Sequence, residues 1–396
     1  MPCLDFGFSK EQELFRSSIR EGLSRHLTPY VRELDERREI PRESLRKMAE
    51  MGLLGITVSE EYGGTHADIL TSTIAAEEVG RADITLATAV YFLLEAGWGF
   101  ILDKYGKPEA KEEILPKVTS GEHFLGIAST EPSGGSDVAN EKTTARLEGE
   151  HYIVNGEKMY ISGVREAATY GGGFLLFAKT KPEAMHKGLT IIYSPVKDVE
   201  GIQTSVIRNM GREGISTGVI RYTDAKLPVK YRVGEENQGF YYAMEGFDNA
   251  RILVSAASVG AAQRVMEIGM DYIKKRTVFG QPLSAMQGIQ FQLAEHYAKL
   301  DACRSLVYKA AWMMDEHNRS GRFSKSDLIK VVSSVKWLAP TVSFDVIRDV
   351  ITWFGAYGYS KDGLVEASFR GAFSYLMGAE GALNVMKNSL ARELLK

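Results

Sequence analysis

At 396 residues the chain is long enough for two or three domains, and its 44% apolar and 25% charged content is that of an ordinary globular protein. A net charge of -3 gives no electrostatic case for a nucleic-acid or membrane partner, and two cysteines, Cys3 and Cys303, supply neither a disulfide framework nor the spacing of a metal site. No apolar run reaches a membrane span, because Thr88 and Glu95 interrupt the best candidate, and Asp5, Lys10, Glu11 and Glu13 break any signal-peptide core, so the chain reads as cytoplasmic.

From Ser9 the period is helical. Ser9-Lys-Glu-Gln12 has the capping-box pattern. Pro41 opens a helix carrying Leu45, Met48 and Met51 at helical spacing, with Gly52 near its end. Ser59 to Gly64 is a turn, Thr71 to Gly80 a further helix, and Pro108 opens a short charged helix ending near Pro116. These make a helical domain over 1–124. Over 125–235 the pattern turns to short β-branched and aromatic runs at 151–156, 174–180, 189–194, 203–208 and 218–223, with Asn155-Gly156 as a tight-turn signal. Over 236–396 four long helical blocks follow, roughly 238–276, 284–318, 324–354 and 361–393. The fold class is α+β, mainly α: an N-terminal helical domain, a central barrel- or sandwich-like β domain, and a C-terminal four-helix bundle.

Two motifs carry chemistry. Ile127-Ala-Ser-Thr-Glu-Pro-Ser-Gly-Gly-Ser-Asp137 is dense in hydroxyls and glycine, so backbone donors can approach a flat or anionic ligand closely. Val154-Asn-Gly-Glu-Lys-Met-Tyr-Ile-Ser-Gly163 is strand-like and sets Tyr160 two residues before Ser162. Either alone would pass for a polar turn between strands. Together they resemble the flavin-binding segments of the acyl-CoA dehydrogenases, a resemblance that runs along the whole chain, including the order of its three regions.

The resemblance implies FAD as cofactor, with Ser129, Thr130 and Ser136 near the isoalloxazine or its linker, Tyr160 along the ring face and Ser162 at its polar edge. The family more often has Trp and Thr at the last two positions. Arg276-Thr-Val-Phe-Gly280 matches the string that meets the FAD pyrophosphate and adenine from a neighbouring subunit, with Gln287 following, so a homotetramer or dimer is implied. The catalytic base is implied at Glu380, inside Tyr375-Leu-Met-Gly-Ala-Glu-Gly-Ala382, a string nearest the glutaryl-CoA-type branch. From the residues alone Glu380 reads equally as the first-turn acid of a helix. Relatives that carry the base on the first bundle helix hold it where this chain has Ala250. Phe247, Asp248, Arg251, Ser136 and Gly381 match substrate-contacting positions, although Asp248 and Arg251 have the spacing of a plain helix-surface pair. Thr352, Gly371 and Ala382 depart from the family's Gln, Asp and Thr.

No basic residue lies between Ala82 and Asp103, where glutaryl-CoA-type enzymes hold the distal carboxylate, so the sequence favours an apolar, branched or alicyclic acyl group over a diacid. Tyr91, Phe92, Leu94 and Trp98 are the candidates to line its pocket, with core packing as the competing reading. Glu95, an acid in that apolar stretch, has a catalytic role only if it faces inward. The implied activity is α,β-dehydrogenation of an acyl-CoA with electrons passed to an electron-transferring flavoprotein. Enoyl-CoA reduction, ring 1,4-dehydrogenation and a catalytically silent acyl-CoA or FAD binder are the alternatives.

Overall fold

The computed structural model describes residues 7–396, so Cys3 lies outside it. Six helices come first: α1 Lys10–His26, α2 Val31–Arg37, α3 Arg42–Glu50, α4 Ile69–Ala82, α5 Ala87–Tyr105 and α6 Pro108–Thr119. The Ser9 capping box forms in both directions with Gln12. Pro41 is the N-cap of α3, and α6 runs through Pro116 to Thr119 rather than stopping at the proline.

Eight strands follow: β1 Phe124–Ala128, β2 Thr144–Glu148, β3 His151–Ser162, β4 Gly172–Lys179, β5 Leu189–Pro195, β6 Ile202–Ile207, β7 Thr217–Pro228 and β8 Arg232–Val233, with α7 Val164–Tyr170 between β3 and β4. They form one sheet in the order β6-β7-β3-β2-β4-β5-β8, with β1 joined in parallel to β4; the path has two ends, so no barrel closes. Asn155-Gly156 is not a turn. It sits inside β3 where the register with β7 slips, and Gly156, at φ 149, lies against Thr143, where a Cβ would come within 2.4 Å of the hydroxyl.

The C-terminal region contains α8 Gly239–Lys275, a hairpin of β9 Thr277–Val278 and β10 Gln281–Pro282, α9 Gln287–Ser320, α10 Lys325–Trp353, α11 Ala356–Tyr359, α12 Val365–Met377 and α13 Leu383–Leu394. The block expected over 361–393 is therefore two helices. Gly378 and Gly381 break it, and the break holds Glu380.

From Ala82 to Gly99 every residue is buried. A helix apolar on all sides must be enclosed on all sides, and α5 packs against α4, α8 and β1. α4 and α8 in turn touch backbone to backbone. A Cβ on Gly260 would stand 2.0 Å from the Glu77 carbonyl oxygen, and one on Gly80 would stand 2.1 Å from that of Ala257. Gly260→Ala must push two packed helices apart, so it is expected to destabilise the fold by about 1–3 kcal/mol, the usual range for overpacking. Urea unfolding checks this, and a midpoint equal to that of the parent would refute it.

Candidate functional site

The sheet, α5, α8 and the α12–α13 break enclose a cavity of about 970 Å³. It is at the large end for a small-molecule site. One wall is built from the first motif and the end of the second: Ser129, Thr130, Ser136, Tyr160 and Ser162 all reach it. Facing them are Phe247, Asp248 and Arg251 of α8 and the Glu380-Gly381 loop. Residues far apart in sequence thus share one cavity.

Tyr160 reaches it through a second register slip between β3 and β7, at Met159/Ile161. A bulge turns one additional side chain out of the pleat. Here Tyr160 takes φ 59, a left-handed conformation that costs on the order of 1 kcal/mol or more, and its ring is 60% exposed along the cavity.

Behind that wall lies a buried charge cluster that the sequence did not disclose. Lys158 Nζ, fully buried, donates to Glu141 Oε2 at 2.8 Å, to Glu131 Oε1 at 3.0 Å and to the Ser129 carbonyl at 3.0 Å. Ser129 Oγ donates to Glu141 Oε1 at 2.8 Å, so this hydroxyl is spent on the cluster. Glu131 also accepts from the N–H groups of Lys142 and Thr143. Burial pushes the Glu141 carboxyl up to about 7 against the pull of Lys158. Burial acts the same way on Glu131, but Lys158 and the Thr143 donors outweigh it and hold that carboxyl low. Both acids and the lysine belong to or border the two motifs; only the fold shows that they converge.

Glu380 has φ 55 and is followed by Gly381 at φ 118, so it lies in a left-handed loop and not in a helix. Its carbonyl accepts from Arg251 Nε at 3.0 Å, and Arg251 Nη1 donates to Asp248 Oδ1 at 2.7 Å. The Asp248–Arg251 pair is thus both the helix pair that the spacing suggests and part of the cavity wall. The Glu380 residue is half-buried, but its Oε2 is sealed and has no hydrogen-bond partner. Burial pushes the carboxyl up to about 7, while the positive charges of Arg251 and Lys336 pull it down. Lys336, on α10 and fully buried, was also missed; burial and Arg251 bring its ammonium down to about 8, with Glu380 opposing. A carboxyl near neutrality on a cavity wall can take a proton from a bound molecule.

Other expected residues lie elsewhere. Val90, Leu93 and Leu94 of α5 line the cavity, but Tyr91, Phe92 and Trp98 do not. The helical period puts the latter three on other faces, where Tyr91 packs edge-on to Phe124 at 5.1 Å and Trp98 to Phe247 at 5.2 Å. Tyr91 is therefore a core residue. Glu95 does not line the cavity either. It is fully buried with neither oxygen in good hydrogen-bond geometry, and burial raises its carboxyl well above the ordinary range against the weaker pull of the Tyr91 hydroxyl and the Leu125 N–H. Arg276, Phe279 and Gln287 are exposed around the β9–β10 hairpin, outside the cavity, with Phe279 94% exposed. Cys303 is buried, its thiol pushed up to about 11, as an inert thiol would be. Gly371 has a structural reason for replacing an acid: a Cβ there would sit 2.0 Å from the Thr85 carbonyl oxygen.

No helix among the described residues is long and apolar enough to cross a membrane. Three family models match in succession: acyl-CoA dehydrogenase N-terminal domain over 9–122, middle domain over 126–225 and C-terminal domain over 237–395. The chain is 32% identical to the NADH-dependent acryloyl-CoA reductase of Anaerotignum propionicum, covering 100% of this chain and 97% of that protein. It is also 32% identical to the short-chain-specific acyl-CoA dehydrogenase of Clostridium acetobutylicum, over 93% and 94%. A chain solved in work on the electron transferring flavoprotein of Acidaminococcus fermentans superposes with a TM-score of 0.91 at 30% identity, covering 99% of this chain and 100% of that one. The matched regions span the helical, sheet and helical parts that wall the cavity, so this chain belongs to the acyl-CoA dehydrogenase family of FAD-dependent oxidoreductases acting on acyl-CoA.

Proposed function

We propose that the chain dehydrogenates an acyl-CoA between Cα and Cβ, with Glu380 as the base. The observation that carries this reading is the Glu380 side chain on the wall of the same cavity as the two motifs, its carboxyl raised by burial. The residues present fit FAD: Thr130, Ser136 and Ser162 offer hydroxyls, and Gly134 has open space where a Cβ would sit, which keeps backbone accessible. Tyr160 adds an aromatic face. When bound, FAD supplies the acceptor for the β-hydride.

Glu380 takes the α-proton on its carboxylate. Its desolvation keeps its proton affinity high enough for that task near neutral pH. Arg251, held by Asp248 and by the Glu380 carbonyl, fixes the loop and keeps a positive charge beside the acid, which stabilises the carboxylate needed at the start. Phe247, Asp248, Arg251 and Gly381 flank the thioester, and Val90, Leu93 and Leu94 give the body of the acyl group an apolar wall that excludes water. The string around Glu380 supports a reading near the glutaryl-CoA-type branch. Arg276, Phe279 and Gln287 would meet the adenine end of FAD in a second copy, within a homotetramer or dimer. An electron-transferring flavoprotein is the proposed acceptor, in keeping with the A. fermentans likeness.

Reduction of an enoyl-CoA is the second reading, favoured by the likeness to the A. propionicum reductase. Anaerobic titration of the purified protein separates the two. Dehydrogenation predicts a visible flavin band that saturated acyl-CoA bleaches. A band that only an external reductant bleaches, and that enoyl-CoA then restores, would assign the reductase direction; a colourless protein would defeat both.

A further inference from the structure

Resting on the acyl-CoA reading above, we infer that Arg212 anchors a carboxylate at the far end of the acyl group, making the substrate the mono-CoA thioester of a dicarboxylic acid. Three arginines line the cavity: Arg212, Arg251 and Arg370. Arg251 is engaged by Asp248 and the Glu380 carbonyl, and Arg370 by Glu366 and Asp35. Arg212 has no side-chain hydrogen bond and no ion pair among the described residues, and its Nε is sealed without a partner. Burial pushes its guanidinium down from the ordinary value, with only the nearby Tyr375 phenol opposing. A desolvated cation with nothing to neutralise it is costly, and its planar donors match a carboxylate two for two.

The loop that carries it fixes where it enters. A Cβ on Gly211 would lie 2.4 Å from the Arg370 carbonyl carbon, and one on Gly214 would lie 2.3 Å from Leu34 Cδ2 of α2 and 3.1 Å from Ala87 Cβ. The loop is therefore wedged among α12, α2 and the first residue of α5, one turn before Val90. Arg251 enters at the other level of α5, since its neighbour Ala250 faces Gly97, where an added Cβ would be 3.3 Å away. Ten residues of helix separate the two levels, roughly 15 Å at the usual rise. The apolar wall of Val90, Leu93 and Leu94 lies between them. That arrangement suits an apolar acyl stem with a thioester at one end and an anion at the other. The missing base over 82–103 does not exclude a diacid, because the cation comes from a loop of the sheet.

Paired thioesters of equal length test this with the flavin-loaded protein: glutaryl- against pentanoyl-CoA, adipyl- against hexanoyl-CoA and pimelyl- against heptanoyl-CoA. At one length the parent should favour the diacid in kcat/KM by on the order of 10⁴-fold, as a site built for a polar group rejects an analogue lacking it. In Arg212→Met that ratio should collapse toward one, while Arg212→Lys keeps part of it. The ligand-free Arg212→Met protein should also melt above the parent, since the unneutralised charge is gone. A parent that favours the monoacid at every length would overturn the inference, as would Arg212→Met slowing both members of each pair equally and shedding flavin. Calorimetric binding of the same pairs decides Arg212 separately from turnover. Absence of bleaching with a retained diacid preference would sink dehydrogenation alone, and equal affinities within every pair would sink the anchor alone.

Discussion

Glu380→Gln is expected to lower kcat by about 10²- to 10⁴-fold, the range general-base removal spans, with flavin content and thioester affinity retained. The amide preserves shape and the backbone contact to Arg251, whose Nε is bonded to the carbonyl of residue 380 and not to its carboxyl. Only the proton acceptor is lost. Turnover equal to that of the parent would remove Glu380 from the mechanism. The parent should show an acid limb in kcat/KM: activity rises with pH through about 7 and levels above it, because the base works deprotonated. The same shift bears on stability with a definite sign. The folded carboxyl binds its proton more tightly than at its ordinary 4.5, so its stabilising contribution is full below that value and is lost as pH rises through about 7. In Glu380→Gln the Tm should fall less steeply across that window.

Lys158→Met is expected to destabilise the protein by about 3–5 kcal/mol, the scale for removing one partner of a buried ion pair. Nothing replaces the ammonium that Glu131, Glu141 and the Ser129 carbonyl share, and all three groups are buried. The methionine fills the volume, so the loss is electrostatic. The 129–143 segment is tied to the sheet through these bonds, so the wall proposed to face the flavin should loosen with them. Flavin affinity should therefore fall together with the urea midpoint. Retention of both would show that the two acids are neutral in the fold and need no counter-charge. The triple change Lys158→Met, Glu131→Gln, Glu141→Gln should recover part of the stability, since it removes the orphaned charges as well.

What the sequence disclosed follows from the range of each signal. The Ser9 capping box, the five strand runs from 151–156 to 218–223 and the first three bundle helices are local, and they stand where period and turn residues place them, whereas the short β1, β2 and β8 leave no such mark. Asn155-Gly156 misleads because the same dipeptide serves a turn or a bulge, and only the partner strand distinguishes the two. The final helical block breaks at Gly378 and Gly381, whose effect a periodic pattern of apolar residues bridges over. The two motifs do meet in one cavity with Glu380. For Tyr91 the core-packing reading holds, and the sequence does not decide it because α5 is apolar all round, which erases the face that would mark a pocket. Arg212, Lys158 and Lys336 carry no periodic mark. A charged residue in a polar loop or strand looks solvated until tertiary structure takes its water away.

The complete enclosure of α5 has a consequence for biosynthesis. The helix emerges from the ribosome before either of its main covers, β1 beginning at Phe124 and α8 only at Gly239. Until α8 is made, a nearly uncharged apolar rod has no partner on that side. The nascent chain thus carries a long-lived sticky segment of the sort that recruits holding chaperones. The exposed interval runs from the completion of α5 at Tyr105 to that of α8 at Lys275, and over it this face of the helix depends on shielding from outside the chain.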